Sequence, residues 1–140
     1  MNGVATSDIQ LLEGEHRFGQ YQLQIARLTA TGWVATVPPL TGTVTNCRLM
    51  LKPQTRKPHP VASIPATYIT KVSSVNLGQR SGVLIALKVG YQINVFVGWG
   101  QVERFTADLR RMVTPSIRAR FAPNLPQDDI IRLIEEITRR

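Results

Sequence analysis

The feature that most restricts this chain is a change of hydrophobic period close to residue 98. Before it, apolar and polar residues alternate: Tyr21, Leu23 and Ile25 are interleaved with Gln22 and Gln24, the period-two signature of a strand with one wet face. After it, Val102, Phe105, Leu109 and Met112 recur at helical spacing, while Glu103, Arg104, Asp108, Arg110 and Arg111 occupy the other faces and Pro115 sets the limit. A chain that spends most of its length at period two and then makes an amphipathic helix must build a sheet and lay the helix's apolar stripe over it. The expected class is mostly β (α+β).

Turn residues divide the period-two region. Thr29 to Gly32 is a turn into a short strand, Trp33 to Val37, which Pro38 and Pro39 end because proline cannot donate to a ladder. Gly42 opens a second run through Val44, Cys47, Leu49 and Leu51, with a turn or bulge at Thr45 and Asn46. Lys52 to Pro60 holds Pro53, Pro58 and Pro60 among Lys52, Arg56, Lys57 and His59, the composition of an exposed loop. Val61 to Ile64 returns as a short strand, and the β-branched run from Tyr68 to Leu77 ends at Gly78. Val83 to Val89 and Gln92 to Val97 then form a hairpin about Gly90 and Tyr91.

Residues 1–10 are expected to be a flexible start, 11–112 the domain, 113–126 a proline-bearing linker, and 127–140 a last helix. Asn124 and Gln127 have capping-box spacing, Asp128 and Asp129 complement the positive end of the dipole, and Arg139 and Arg140 the negative end. Ile130, Ile131, Leu133, Ile134 and Ile137 make a wide apolar stripe on this helix. It must fold back on the domain or meet a second chain.

Charge narrows the partners. The net charge is +8, and between residues 21 and 99 stand eight Lys or Arg and no Asp or Glu. No base there finds a carboxylate in its own segment, and those left over create a field that attracts anions. Lys52, Arg56 and Lys57 are the candidate contacts, helped by Lys71, Arg80 and Lys88. No apolar run approaches the roughly 20 residues of a spanning helix. The first twenty residues carry Asp8, Glu13 and Glu15 and lack a basic start with an apolar block, so a cytoplasmic protein, peripheral to a membrane, is expected.

Catalytic and metal chemistry find little support. Cys47 is the single cysteine, which excludes an internal disulfide and a cysteine cluster for zinc; its apolar neighbours make it a small buried hydrophobe. No motif ties His16 or His59 to it, and Glu13, Glu15 and His16 lack a second cluster to complete a metal site. The pairs Asp128-Asp129 and Glu135-Glu136 are explained by capping and exposed faces. Gly98-Trp99-Gly100 is at most a weak anion nest. A binding module without cofactor or metal is expected, not an enzyme.

Particular residues carry a family resemblance. The run Gly42-Thr-Val-Thr-Asn-Cys-Arg-Leu-Met-Leu51 resembles the glycine, Thr-Asn, x, Arg-Leu pattern of GRAM domains, a branch of the pleckstrin-homology (PH) superfamily. Ser63-Ile-Pro-Ala-Thr-Tyr-Ile-Thr-Lys-Val72 is similar to that family's Ile-Pro, then Ile, then Val strand motif, and Leu12-Glu-Gly-Glu15 to its opening segment. Over residues 11–112 the resemblance implies a bent, seven-stranded, partly open barrel whose C-terminal helix plugs one end. It also implies an adaptor that binds phosphoinositides, other membrane lipids or protein segments. The first hairpin offers Arg27 alone, with Thr29, Thr31 and Trp33, so the anionic contact is assigned to the Lys52–Lys57 loop. The expected partner is an anionic lipid surface or an acidic protein surface. Self-association through the last helix is the alternative. Nucleic acid ranks behind both, since a pI near 10.6 permits it but only Tyr21, Tyr68, Tyr91 and Trp99 could stack on bases.

Overall fold

One long strand, β1 (Arg17–Thr29), organises the sheet. Its first half pairs with β3 (Leu40–Thr45), its middle with β8 (Gln92–Val97), and its last four residues with the short β2 (Gly32–Ala35), all antiparallel. The remaining strands are β4 (Arg48–Pro53), β5 (Ala62–Pro65), β6 (Ile69–Leu77) and β7 (Arg80–Leu87), followed by the helix α1 (Val102–Met112). This computed structural model describes residues 11–56, 61–114, 131, 132 and 134–136. The strand order is β5-β4-β3-β1-β8-β7-β6, with β2 appended to β1.

The helix α1 covers one face of this sheet. It touches β1, β3, β6 and β7, and β3 and β6 stand four strand spacings apart in the order. The edges β5 and β6 do not pair with each other, so the sheet stays open.

The period-two pattern is what fills the inside. Leu23, Leu40, Leu51, Ile85 and Leu87 point to one face and meet Phe105, Leu109 and Met112 of α1 in the main core. Each large side chain taken fully out of water contributes roughly 1.5 to 3 kcal/mol. A smaller cluster, Ala26, Leu77 and Phe96 with Trp33 and Val75 against it, is separate from this core. Gly82 lets β7 approach it closely: a Cβ there would come within 2.6 Å of the Val95 carbonyl and 2.4 Å of Leu77 Cδ1.

The expectations hold in kind and shift at several boundaries. The hairpin about Gly90 is present, but β7 starts at Arg80, and Lys88–Gly90 form a 3₁₀ turn in place of the strand's end. The expected strand Trp33–Val37 is β2, which starts at Gly32 and stops at Ala35, before Val37 and the cis Val37–Pro38 bond. The eighth strand arises because the expected run from Gly42 to Leu51 is two strands, β3 and β4, separated at Asn46 and Cys47. The loop assigned to Lys52–Pro60 begins later, because Lys52 and Pro53 pair with Thr41 and Leu40 as the end of β4. Tyr21, expected among the available aromatics, is buried, tilted against the Phe105 ring with its hydroxyl donating to Asp108.

The last helix is described in part. Residues 131, 132 and 134–136 are helical, and Ile134 is 2 % exposed within the main core of this chain. One residue of the apolar stripe is thus taken up by the chain's own core. Ile131 is half-buried, while Ile130, Leu133 and Ile137 lie outside the described residues, as do residues 1–10 and most of the expected linker. Among the described residues no helix is long and apolar enough to cross a membrane.

Candidate functional site

Two polar constellations stand out, and the first is structural. The turn between β3 and β4 grips the segment that precedes β1. Asn46 N donates to the His16 carbonyl at 3.1 Å, His16 N to Asn46 Oδ1 at 3.0 Å, and Asn46 Nδ2 to the Gly14 carbonyl at 3.1 Å. At the centre lies Glu15, whose carboxylate takes Arg48 Nε at 2.9 Å and Nη2 at 3.0 Å as a two-point ion pair. The same carboxylate accepts from Leu12 N at 2.7 Å, Thr45 Oγ1 at 2.6 Å and Cys47 Sγ at 3.1 Å.

This crowd of donors fixes the protonation states. Burial alone would raise the Glu15 pKa, but Arg48, Thr45, Leu12 and Cys47 outweigh it and bring the group from 4.5 to about 2. Burial, then donation to the Glu15 carboxylate, pushes the Cys47 thiol up to about 11. Cys47 is thus not the plain hydrophobe of the sequence expectation: it is fully buried, but it serves as a hydrogen-bond donor in a charged cluster. Glu15, considered above as a metal ligand, is occupied by protein donors. One of the eight bases in the acid-free stretch, Arg48, is neutralised from the N-terminal side.

The second constellation is a cleft of about 630 Å³ over β1, β3 and the end of β4. Arg17 and Gln20 reach it from β1, Thr41 from β3, Lys52 from β4, and Thr55 and Arg56 from the segment beyond. A register shift between Arg17 and Gly19 lets Arg17 and Gln20, an odd number of residues apart, line the same cleft. Gln54 fixes the far wall: its N donates to the Pro39 carbonyl at 2.9 Å, and its Nε2 to Thr41 Oγ1 at 2.9 Å and Gln22 Oε1 at 2.7 Å. Among the described residues that line it there is no acid, no thiol and no imidazole. Guanidinium, ammonium, hydroxyl and amide groups can hold an oxyanion.

Of the residues singled out in the sequence, Lys52 and Arg56 come together here, and Arg17 joins them unforeseen. Lys57 lies outside the described residues. Lys71, Arg80 and Lys88 are not brought to the cleft: β6 and β7 form the opposite end of the sheet order from β4. Lys71 is exposed on β6 opposite Ala86, and the Lys88 ammonium sits 5.7 Å from the Tyr68 ring. The Arg80 guanidinium stacks 4.2 Å over Phe96.

Arg80 instead belongs to a pair of hollows on either side of Trp99. A groove of about 860 Å³ runs between the β6–β7 turn and the start of α1, and a smaller cleft of about 120 Å³ lies towards β1. Trp99 and Arg80 line both. The indole is 100 % exposed, on a turn whose backbone is fixed: Gly98 N donates to the Gln22 carbonyl at 2.8 Å and Gln101 N to the Gly98 carbonyl at 3.0 Å. Gly100 takes φ +75°, which a residue with a Cβ would resist.

Among the described residues, no group of three or more His, Cys, Asp or Glu is placed to hold a metal ion. No protein-family model matches the chain, and no curated protein matches it. Among solved structures, the C-terminal domain of an unknown protein from Leishmania infantum is similar, with 13% identity and a TM-score of 0.48 over 73% of this chain and 88% of that one.

Proposed function

We propose that this chain is a non-catalytic, PH/GRAM-like binding module that holds an anionic group in the cleft of Arg17, Lys52 and Arg56. The observation that carries the proposal is the convergence of three bases on one concave surface whose described lining contains no carboxylate. The PH/GRAM-like identity draws support from the place where the three resembling runs meet. Leu12–Glu15, Thr45–Arg48 and Ser63 join in one hydrogen-bonded clamp, with Arg48 Nη1 reaching Ser63 Oγ at 3.3 Å. A helix packed on an open antiparallel sheet is in keeping with it.

Each cation beside an anionic surface contributes about a fivefold gain in affinity, so three give weak, salt-sensitive attachment. Calorimetric titration with inorganic tripolyphosphate tests this. Binding is expected at low salt and is expected to weaken steeply at physiological salt; Arg56→Glu should lower the affinity more than about fivefold, while Lys71→Glu, remote from the cleft, should change it little. Equal affinities for the parent and both variants, or no heat at either salt, would refute the proposal.

A further inference from the structure

The exposed indole lies close to the basic cleft, and the two are joined through one residue. Gln22 lines the smaller cleft beside Trp99, its carbonyl anchors the Trp99 turn, and its side chain accepts from Gln54 in the wall of the basic cleft. In the strand order β4, β3, β1 and β8 are consecutive, so Lys52 in β4 and the turn after β8 are about 14 Å apart, three strand spacings. We infer that these two features act together on an anionic lipid bilayer, with Trp99 seated at the level of the head groups and the Arg17, Lys52 and Arg56 cleft on their phosphates. This rests on the anion-binding role proposed above and names its partner.

Three observations favour a bilayer over other anionic partners. First, the ring projects fully from a turn pinned on both sides, so it is held out by the backbone and covered by nothing. An amphipathic ring in that position matches the water–lipid boundary, where tryptophan is enriched. Second, polar residues outnumber apolar ones in the larger hollow beside it, where Ser74, Asn76, Gln79 and Ser81 stand among Val75, Val97 and Val102. An aromatic hot spot for a protein partner sits among apolar neighbours that exclude water, whereas an interfacial anchor keeps a wet rim. Third, single-stranded nucleic acid stacks successive bases on several aromatics; Phe96, which lines the smaller cleft, is covered by the Arg80 guanidinium, which leaves Trp99 without a second platform there. Charge agrees with the assignment. Arg80 adds a base beside Trp99, and the acid lining these hollows, Glu103, belongs to the groove on the α1 side, away from the basic cleft.

The test uses the whole chain carrying Trp33→Phe, so that Trp99 is its one tryptophan, with vesicles of phosphatidylcholine alone or with about one third phosphatidylserine. Trp99 emission should shift to shorter wavelength and become quenchable by lipids brominated near the head group, with the acidic vesicles only. In the parent chain, Trp99→Ala should reduce partitioning onto acidic vesicles roughly tenfold, with thermal stability and tripolyphosphate affinity unchanged. Sedimentation with acidic vesicles that leaves Trp99 emission unmoved would overturn the anchor while leaving the anion cleft standing. An equal shift with neutral vesicles would overturn the joint action of charge and indole. Loss of tripolyphosphate binding in the parent would instead defeat the underlying role.

Discussion

Glu15→Ala is expected to lower the stability of this chain by about 3 kcal/mol or more, because it strands a largely buried guanidinium. The Glu15 side chain is fully buried and that of Arg48 is 15 % exposed. The substitution also leaves Leu12 N, Thr45 Oγ1 and Cys47 Sγ without their acceptor, and each abandoned donor adds to the cost. Since Arg48 keeps some contact with water, the loss should lie at the lower end of the 3 to 5 kcal/mol typical for breaking a buried pair. Glu15→Gln retains an acceptor oxygen and should fall between parent and alanine. Urea unfolding followed by circular dichroism measures all three; a loss below about 1 kcal/mol for Glu15→Ala would mean that the clamp does not hold the N-terminal segment.

The same carboxylate sets an acid limit. Its pKa is lower in the folded chain, about 2, than its ordinary 4.5, so it contributes stability in full above pH 4.5 and loses it as the pH falls from there towards 2. The contribution at stake is on the order of 3 kcal/mol. Glu15→Gln should remove this part of the acid dependence, so the difference in stability between it and the parent should shrink as the pH drops below 4.5.

Phe105→Ala is expected to cost about 3 to 5 kcal/mol, the range for emptying a large aromatic site in a closed core. Phe105 is fully buried, its ring centroid 5.0 Å from that of Tyr21, at the point where α1 meets the sheet. A cavity there lies between the helix and β1, where neither can move inward without breaking strand pairing. Glu103→Ala, on the exposed side of the same helix, should stay within about 1 kcal/mol of the parent. Thermal or urea unfolding of both decides the matter. A cost for Phe105→Ala no greater than that for Glu103→Ala would mean that α1 is not the cover of the sheet.

Local pattern made part of this molecule legible and left the rest hidden. The runs that became β6, β7 and β8 and the apolar stripe of α1 follow from nearest-neighbour periodicity, which sequence states directly. The strand partners do not: β1 pairs with three different strands along its length, and nothing between Arg17 and Thr29 marks where one partner yields to the next. Arg17 joins Gln20 in the cleft through a register shift that belongs to the β1–β3 pair and not to either strand alone. Arg48 stands in a stretch without acids, and its carboxylate partner lies 33 residues earlier in the chain. A tryptophan between two glycines reads alike whether the turn is covered or bare, so the exposure of Trp99 required the fold. The apolar stripe containing Ile134 demanded cover from somewhere, and only the packing assigned that residue to the chain's own core.

The basic cleft is most directly tested by mapping backbone amide chemical shifts while inorganic tripolyphosphate is added at low salt. The account predicts shifts concentrated at Arg17, Gln20, Thr41 and Lys52 through Arg56, with little change at Lys71 or Lys88. Shifts centred on those two lysines, or small ones spread evenly over the surface, would contradict it.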